Sequence, residues 1–231
     1  MTDNSDSGLR RFLIPVGVLA VAAGVWFGVS RFDPGVVETN PPVEAMQAGT
    51  PLPQPKVLSP FTLTDQDGQP FGLDNLKGRW TFVSIGFTAC GYICPTNMAT
   101  YRAIDREIGT AGAKQAVNFL FISVDPERDN PEQLRQYVRR FGPRFLGATG
   151  SHDRLQPLVR ELGLMYGRSE EMGGGTDYMV DHSASMLLLN PQARLVAVFS
   201  WPHDSTAMAA DFAVLHDHYY QGMPGSFRGS S

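Results

Sequence analysis

The sequence predicts an α/β fold with a central mixed sheet flanked by helices, and three observations predict it. Two runs, Trp80 to Phe87 (WTFVSIGF) and Val117 to Val124 (VNFLFISV), are almost continuously apolar, as strands buried on both faces must be. The segments that follow them place apolar residues at helical spacing. The chain then closes on two short apolar runs, Ser185 to Leu189 and Arg194 to Phe199, joined by Asn190-Pro191-Gln192-Ala193, which reads as a hairpin.

In chain order, Asp65 to Gly68 (DQDG) makes a turn between two short strands near the start of the domain at Leu58. The first buried strand leads to a helix over Pro95 to Ile108, with Met98, Tyr101, Ile104 and Ile108 on one side. After the second strand comes a helix from Pro131 to Phe141, capped by Asn130 and carrying Leu134, Tyr137, Val138 and Phe141 as its apolar stripe. A short strand near Phe145 follows. Ser151 then caps a helix with Leu155, Leu158, Val159 and Leu162 inward, ended by Gly163. Residues Arg168 to Asp181 read as a Gly-rich loop, and a last helix spans about Ser205 to Tyr220, with Met208, Phe212, Leu215 and Tyr219 inward. The order β-α-β-α, an inserted β-α, then β-β-α is the thioredoxin arrangement with an insertion; the first part demands a parallel sheet and the hairpin adds antiparallel strands.

The N-terminal quarter has a different character. Phe12 to Ser30 (FLIPVGVLAVAAGVWFGVS) contains no charged side chain. At about 1.5 Å per residue it matches a hydrocarbon layer of about 30 Å, so it reads as a transmembrane anchor. Arg10 and Arg11 before it and Arg31 after it bias residues 1–11 to the cytoplasm. The competing reading is a cleaved signal peptide, against which stand the length of the run and the lack of an A-x-A site. Either way the rest of the chain is expected outside the cytoplasm, with a single-pass protein of a bacterial inner membrane facing the periplasm as the expectation. Residues 31–57, rich in Pro and Gly, read as a tether. The domain then covers 58–222, and 223–231 is a tail.

Composition narrows the function. A net charge of −4 with no Lys/Arg cluster argues against a nucleic-acid partner. Two cysteines exclude a disulfide-dense scaffold. Those two, Cys90 and Cys94, fall at the junction of the first buried strand and its helix, and ligand sites of open α/β sheets form outside the carboxyl ends of strands. Cys94 at a helix start is placed where the helix dipole stabilises a thiolate. Gly91 lets the loop curl until both sulfurs face one point. Two soft sulfurs favour Cu(I), Zn or an iron–sulfur cluster, and two cysteines are too few for a four-thiolate cluster.

A third ligand must come from His152, His182, His203, His216 or His218. His182 follows the Gly-rich loop and precedes a strand, so it can approach the cysteines, and Asp181 beside it is placed to orient its imidazole. Two Cys and one His suit three-coordinate Cu(I) and leave a structural zinc site incomplete. His216 and His218, two apart on the last helix, face different sides. Bland readings remain for each feature. A C-x3-C pair also makes a small structural disulfide, although so short a ring adds little stability. A lone His before a strand is more often a core or surface residue. Met172 and Met179 read as packing residues, and Asp125-Pro126-Glu127-Arg128-Asp129 as a turn with a helix cap.

Three blocks resemble the Sco/SenC family of copper-binding cytochrome c oxidase assembly proteins: GFTACGYICP at Gly86 to Pro95, SVDPERDNPEQLRQY at Ser123 to Tyr137, and DYMVDHSASMLLLNPQARLVAVF at Asp177 to Phe199. The resemblance implies a thioredoxin-like fold and one copper held by Cys90, Cys94 and His182. It also implies a metallochaperone or thiol reductase role, or both, in assembling the dinuclear copper centre of cytochrome c oxidase subunit II. The implied partners are that subunit and other periplasmic copper chaperones. One departure stands out. Family members commonly carry His-Cys-Pro-Asp-Val-Cys-Pro where this chain has Ala89-Cys90-Gly91-Tyr92-Ile93-Cys94-Pro95, so the neighbouring His, the Pro and the acidic residue are missing. The competing functions are a thiol–disulfide reductase, needing Cys90 and Cys94 but not His182, and a peroxiredoxin-like peroxidase. The peroxidase fits poorly, because Thr88 lies only two residues before Cys90.

Overall fold

The computed structural model describes residues 41, 43–110, 117–169 and 178–221. In chain order the strands and helices are β1 (Gly49–Lys56), β2 (Leu63–Asp65), β3 (Pro70–Phe71), β4 (Trp80–Gly86), α1 (Ile93–Thr110), β5 (Val117–Ser123), α2 (Pro131–Arg139), β6 (Phe145–Thr149), α3 (His152–Glu161), β7 (Tyr166–Ser169), β8 (Met179–His182), β9 (Met186–Leu189), β10 (Leu195–Phe199) and α4 (Ser205–Gln221). Eight strands form one mixed sheet in the order β1-β10-β9-β4-β5-β6-β2-β3, and β7 and β8 form a separate two-stranded ribbon. The β4–β5 and β5–β6 pairs are parallel, and β9 runs antiparallel beside β4. The expected α/β architecture is therefore present.

The period of two along each central strand splits the core between the faces of the sheet. Trp80 and Phe82 of β4 join Val117, Phe119 and Phe121 of β5 on one face, under Met98, Tyr101 and Ile104 of α1, Leu134 and Val138 of α2, and Phe212 of α4. Val83 and Ile85 join Leu120 and Ile122 on the other, under Leu155, Leu158 and Val159 of α3. All seven residues of β4 and all seven of β5 are buried. Local signals set the helix ends as expected. Asn130 and Gln133 form a reciprocal capping box at α2, with Pro131 at the first position. Gly163, at φ +75°, terminates α3 where its N–H reaches the Arg160 carbonyl. Ser151 occupies the N-cap of α3 without a side-chain bond.

Three expectations change. Residues 49–56 do not extend a tether: they are β1, an edge strand antiparallel to β10, with Gly49 opposite Phe199 and Thr50 opposite Val198. Pro51, Pro53 and Pro55 hid it, since proline interrupts the strand pattern but is tolerated at an edge. Its approach is held from far away: the buried carboxylate of Asp211 on α4 accepts the N–H groups of Gln47, Ala48 and Gly49 at 2.6, 2.8 and 2.7 Å. The second change is in the Gly-rich loop, whose two ends are strands. Tyr166 pairs with His182 and Ser169 with Met179, and residues 170–177, with Met172, lie outside the described residues. The third concerns the membrane. No helix among the described residues is long and apolar enough to cross one, which corrects the expectation of a single-pass protein of the bacterial inner membrane facing the periplasm. The run from Phe12 to Ser30 on which that expectation was built, and the tail at 223–231, lie outside the described residues.

Candidate metal centre

β4 and β5 end side by side, with Gly86 opposite Ser123. The loops leaving their carboxyl ends, one with the cysteines and one with Asp125 to Asp129, are therefore neighbours, at the edge where open α/β sheets place sites. The cysteine loop turns as the N–H of Cys90 donates to the Phe87 carbonyl at 3.2 Å. α1 begins at Ile93, which sets Cys94 in its first turn and buries it, while Cys90 stays half-buried in the loop.

His182, at the end of β8, closes the site. Its Nε2 lies 3.3 Å from Cys94 Sγ, and one donor atom each from Cys90, Cys94 and His182 falls within 4.8 Å of the others. Among the described residues, this is the group of three or more His, Cys, Asp or Glu side chains close enough to hold a metal ion. Ligand atoms about 2.0–2.3 Å from a shared ion are separated by roughly these distances, so the donor set fits a soft metal with little rearrangement.

The imidazole is oriented for this. Its Nδ1 lies 3.0 Å from the Ser183 carbonyl, which only accepts, so Nδ1 carries the proton and Nε2 presents its lone pair toward the sulfurs. Burial pulls the His182 pKa below its ordinary value, against the Ser183 bond and the Asp181 charge, and so favours the neutral ring. Asp181 thus acts on His182 through its charge, and the orienting bond comes from Ser183 instead. The Phe87 ring meets the imidazole edge-on, with centroids 5.9 Å apart at 87°.

Cys94 sits at the helix start as expected, but its surroundings do not favour a thiolate. Burial pushes the Cys94 thiol well above its ordinary pKa, and the nearby Cys90 and Asp129 add to the shift. The free N–H at the start of α1, that of Cys94, donates instead to Cys90 Sγ at 3.4 Å. Desolvation is thus the largest influence on Cys94, opposed by a backbone bond with Phe87, and the N–H at the helix start serves Cys90. Both thiols are free.

Gly86 is required by close approach: a Cβ there would run into Cys94 Sγ and lie 2.8 Å from Phe121 Cε2. Gly86→Ala is expected to shift the Cys94 sulfur, cost about 1–3 kcal/mol of stability by overpacking, and weaken metal binding. Denaturant melts and metal titration of the variant check both effects, and wild-type values in the two would remove the steric role assigned to this glycine.

The acidic run after β5 does far more than cap a helix. Asp129, 1% exposed, accepts Thr88 N–H at 2.8 Å, the Thr88 hydroxyl at 2.5 Å and the Ser123 hydroxyl at 2.6 Å. It ties the base of the cysteine loop to the end of β5. This also engages the hydroxyl that a peroxidase reading of Thr88 would need. Asp125, equally buried, pairs with Arg128 and accepts the Tyr178 hydroxyl at 2.5 Å. The signal for these residues was the position of DPERD at the carboxyl end of a strand parallel to the cysteine strand.

The other histidines have separate partners. His152 contacts Tyr166 Oη at 2.9 Å and Glu127 at 3.0 Å. His203 Nε2 donates to the Ala184 carbonyl at 2.9 Å. His216 packs against Trp80 and Tyr220, and His218 lies on the same helix. Met179, expected to pack, is 52% exposed.

Comparison with known proteins gives the chain its family. Residues 49–216 match the SCO1/SenC family model. The chain is 35% identical to mitochondrial Protein SCO1 homolog 1 of Arabidopsis thaliana over 160 residues, which are 69% of this chain and 47% of that protein. It is 33% identical to the SCO2-like protein RP587 of Rickettsia prowazekii over 144 residues, 62% of this chain and 69% of the relative. The crystal structure of Arabidopsis thaliana ScoI with copper bound superposes with a TM-score of 0.63 at 35% identity, covering 71% of this chain and 98% of that one. Bradyrhizobium japonicum ScoI with copper bound gives a TM-score of 0.60 at 31% identity, covering 68% and 98%. With the family model spanning most of the chain and copper-bound Sco structures sharing its fold, this chain belongs to the SCO1/SenC family.

Proposed function

We propose that this protein binds one copper ion through Cys90 Sγ, Cys94 Sγ and His182 Nε2 and delivers it to the dinuclear copper centre of cytochrome c oxidase subunit II. The observation that supports this most is the approach of the His182 lone pair to the Cys94 sulfur across 88 residues of sequence, with the tautomer held by Ser183. Two soft sulfurs and one imidazole suit three-coordinate Cu(I). The half-buried Cys90 and His182 beside a buried Cys94 leave the site reachable by a partner. The role in oxidase assembly rests on the family resemblance.

Metal analysis after mild copper loading of the reduced protein is the test. About one copper per chain is expected for wild type. His182→Ala is expected to weaken retention by at least about a hundredfold, since it removes a direct ligand where even indirect supports are worth 10–100-fold. Unchanged stoichiometry and affinity in His182→Ala would remove the three-ligand site.

A thiol–disulfide reductase is the second reading. It is favoured by the asymmetry of the pair: Cys90 is half-buried and accepts a helix-terminal N–H, whereas Cys94 is buried behind it. Such an arrangement suits an attacking and a resolving thiol. Full reductase activity in His182→Ala, with loss in Cys90→Ala, is the outcome that selects it over copper delivery.

A further inference from the structure

The ribbon that carries His182 is not part of the main sheet. β7 and β8 pair only with each other among the described strands, and a two-stranded ribbon is marginal without outside support. At its His182 end the ribbon runs on into β9, with the Ala184 carbonyl held by Asn97 at 3.3 Å and His203 at 2.9 Å. The other end of β8 is held by side chains that reach across. Val180 and Tyr178 turn into the core, at 6% and 8% exposure. One residue of the neighbouring loop then touches both sides of the metal site.

That residue is Arg128. Its Nε pairs with buried Asp125. Its Nη1 donates to the Tyr178 carbonyl at 3.0 Å. Its guanidinium lies 3.9 Å from the centroid of the Tyr178 ring and 5.3 Å from that of Phe87. Tyr178 immediately precedes the strand that ends in His182, and Phe87 carries the carbonyl that turns the cysteine loop and the ring that meets the imidazole. The Tyr178 hydroxyl returns to Asp125 at 2.5 Å, closing a ring of three residues. Arg168 of β7 stacks on the same ring at 3.4 Å, so β7 and the residue that leads into β8 meet in the contact. Two cations over one aromatic ring repel each other, and the Asp125 carboxylate compensates one of them.

We infer that Arg128, working through Tyr178 and Phe87, is a positioning residue that sets the His182 imidazole over the two cysteine sulfurs. It touches none of the three donor atoms. Its effect is on the geometry of the one donor that comes from a separate two-stranded ribbon, through the end of β8 opposite His182, whereas Cys90 and Cys94 are placed by β4 and α1. Its contact on the cysteine side is with the Phe87 ring and not with the Phe87 carbonyl that turns the loop, so removing it is expected to act on the nitrogen ligand before the thiol pair. The Tyr178 hydroxyl remains a donor through neutral pH, since burial first, and then the Asp125 carboxylate, raise its pKa to about 12.

This inference rests on the copper-binding reading above, and the test separates the two. The full chain is loaded with copper as wild type, Arg128→Ala, Arg128→Lys, Tyr178→Leu, His182→Ala and the Arg128→Ala/His182→Ala double variant. Copper affinity is measured by competition with a chelator. The imidazole nitrogen coupling is read by electron paramagnetic resonance of the Cu(II)-loaded protein, and the midpoint potential of the Cys90/Cys94 pair is measured without metal. Arg128→Ala is expected to weaken copper binding about ten- to a hundredfold, the range for residues that orient a ligand from behind. It should diminish the nitrogen coupling while leaving the thiol potential at the wild-type value. Arg128→Lys, which keeps the charge but not the flat stack or the second donor, should fall between. On the His182→Ala background, Arg128→Ala should have no further effect on affinity, because a residue that acts only through His182 has nothing left to position. Wild-type nitrogen coupling in Arg128→Ala, or additive losses in the double variant, overturns the inference while leaving the copper site standing. Absence of nitrogen coupling in wild type overturns the copper reading itself. If Arg128→Ala fails to fold, Tyr178→Leu carries the same expectations, because it removes the stacking surface from the ribbon side and leaves the Asp125–Arg128 pair.

Discussion

Cys94→Ser is expected to abolish stoichiometric copper retention. The sulfur at this position is buried and lies 3.3 Å from His182 Nε2, so it is the atom that joins the ribbon side of the site to the helix side. A serine hydroxyl is a hard donor that stays protonated, and soft Cu(I) discriminates strongly against it. The remaining Cys90 and His182 would offer two donors, both half-buried. The fold should survive, because the thiol occupies the space left by the missing Cβ of Gly86, and a slightly smaller hydroxyl fits there too. Copper analysis after dialysis, paired with a denaturation curve, separates loss of ligand from loss of fold. Full copper occupancy in a folded Cys94→Ser protein would remove Cys94 from the site.

Asp129→Ala is expected to produce the largest loss of stability among the single substitutions considered. The carboxylate is 1% exposed and accepts three hydrogen bonds, from Thr88 N–H, the Thr88 hydroxyl and the Ser123 hydroxyl. Bonds to a charged group are worth about 1.5–3 kcal/mol each, and removal leaves the buried Ser123 hydroxyl and the half-buried Thr88 donors without this acceptor. The expected cost is about 3–5 kcal/mol, a large part of the margin of an ordinary domain. Copper affinity should fall with it, since Thr88 anchors the strand end from which the cysteine loop springs. Asp129→Asn should cost less, because it keeps one acceptor oxygen while turning an N–H2 toward existing donors. Urea unfolding gives the comparison, and an alanine variant within about 1 kcal/mol of wild type, the worth of one ordinary hydrogen bond, would show that water satisfies those donors.

Some of the fold was legible because its causes are local. The continuous apolar runs of β4 and β5 reflect burial on both faces, and the capping of α2 by Asn130 and Gln133 is completed within four residues. β1 was not legible, because Pro51, Pro53 and Pro55 break the strand pattern and the anchor of its approach, Asp211, lies 162 residues from Gly49. The ribbon of β7 and β8 was missed for a related reason. Its strands have four residues each, and its support comes from Tyr178, Val180 and Arg128 rather than from any pattern of its own.

The site divides along the same line. The sequence by itself determined the cysteine pair, since a C-x3-C at a strand-to-helix junction needs only one turn of chain to bring two sulfurs near each other. Together with the resemblance around Asp181-His182-Ser183, it also singled out His182. Only the tertiary structure decided that Ser183, and not Asp181, orients the imidazole, that burial raises the Cys94 thiol pKa, and that Asp125, Arg128 and Asp129 brace the two sides. The physical reason is that tautomer, desolvation and bracing depend on which atoms lie within a few ångströms in space. Here those atoms come from the ends of β4, β5 and β8, segments whose spacing along the chain carries no record of their meeting.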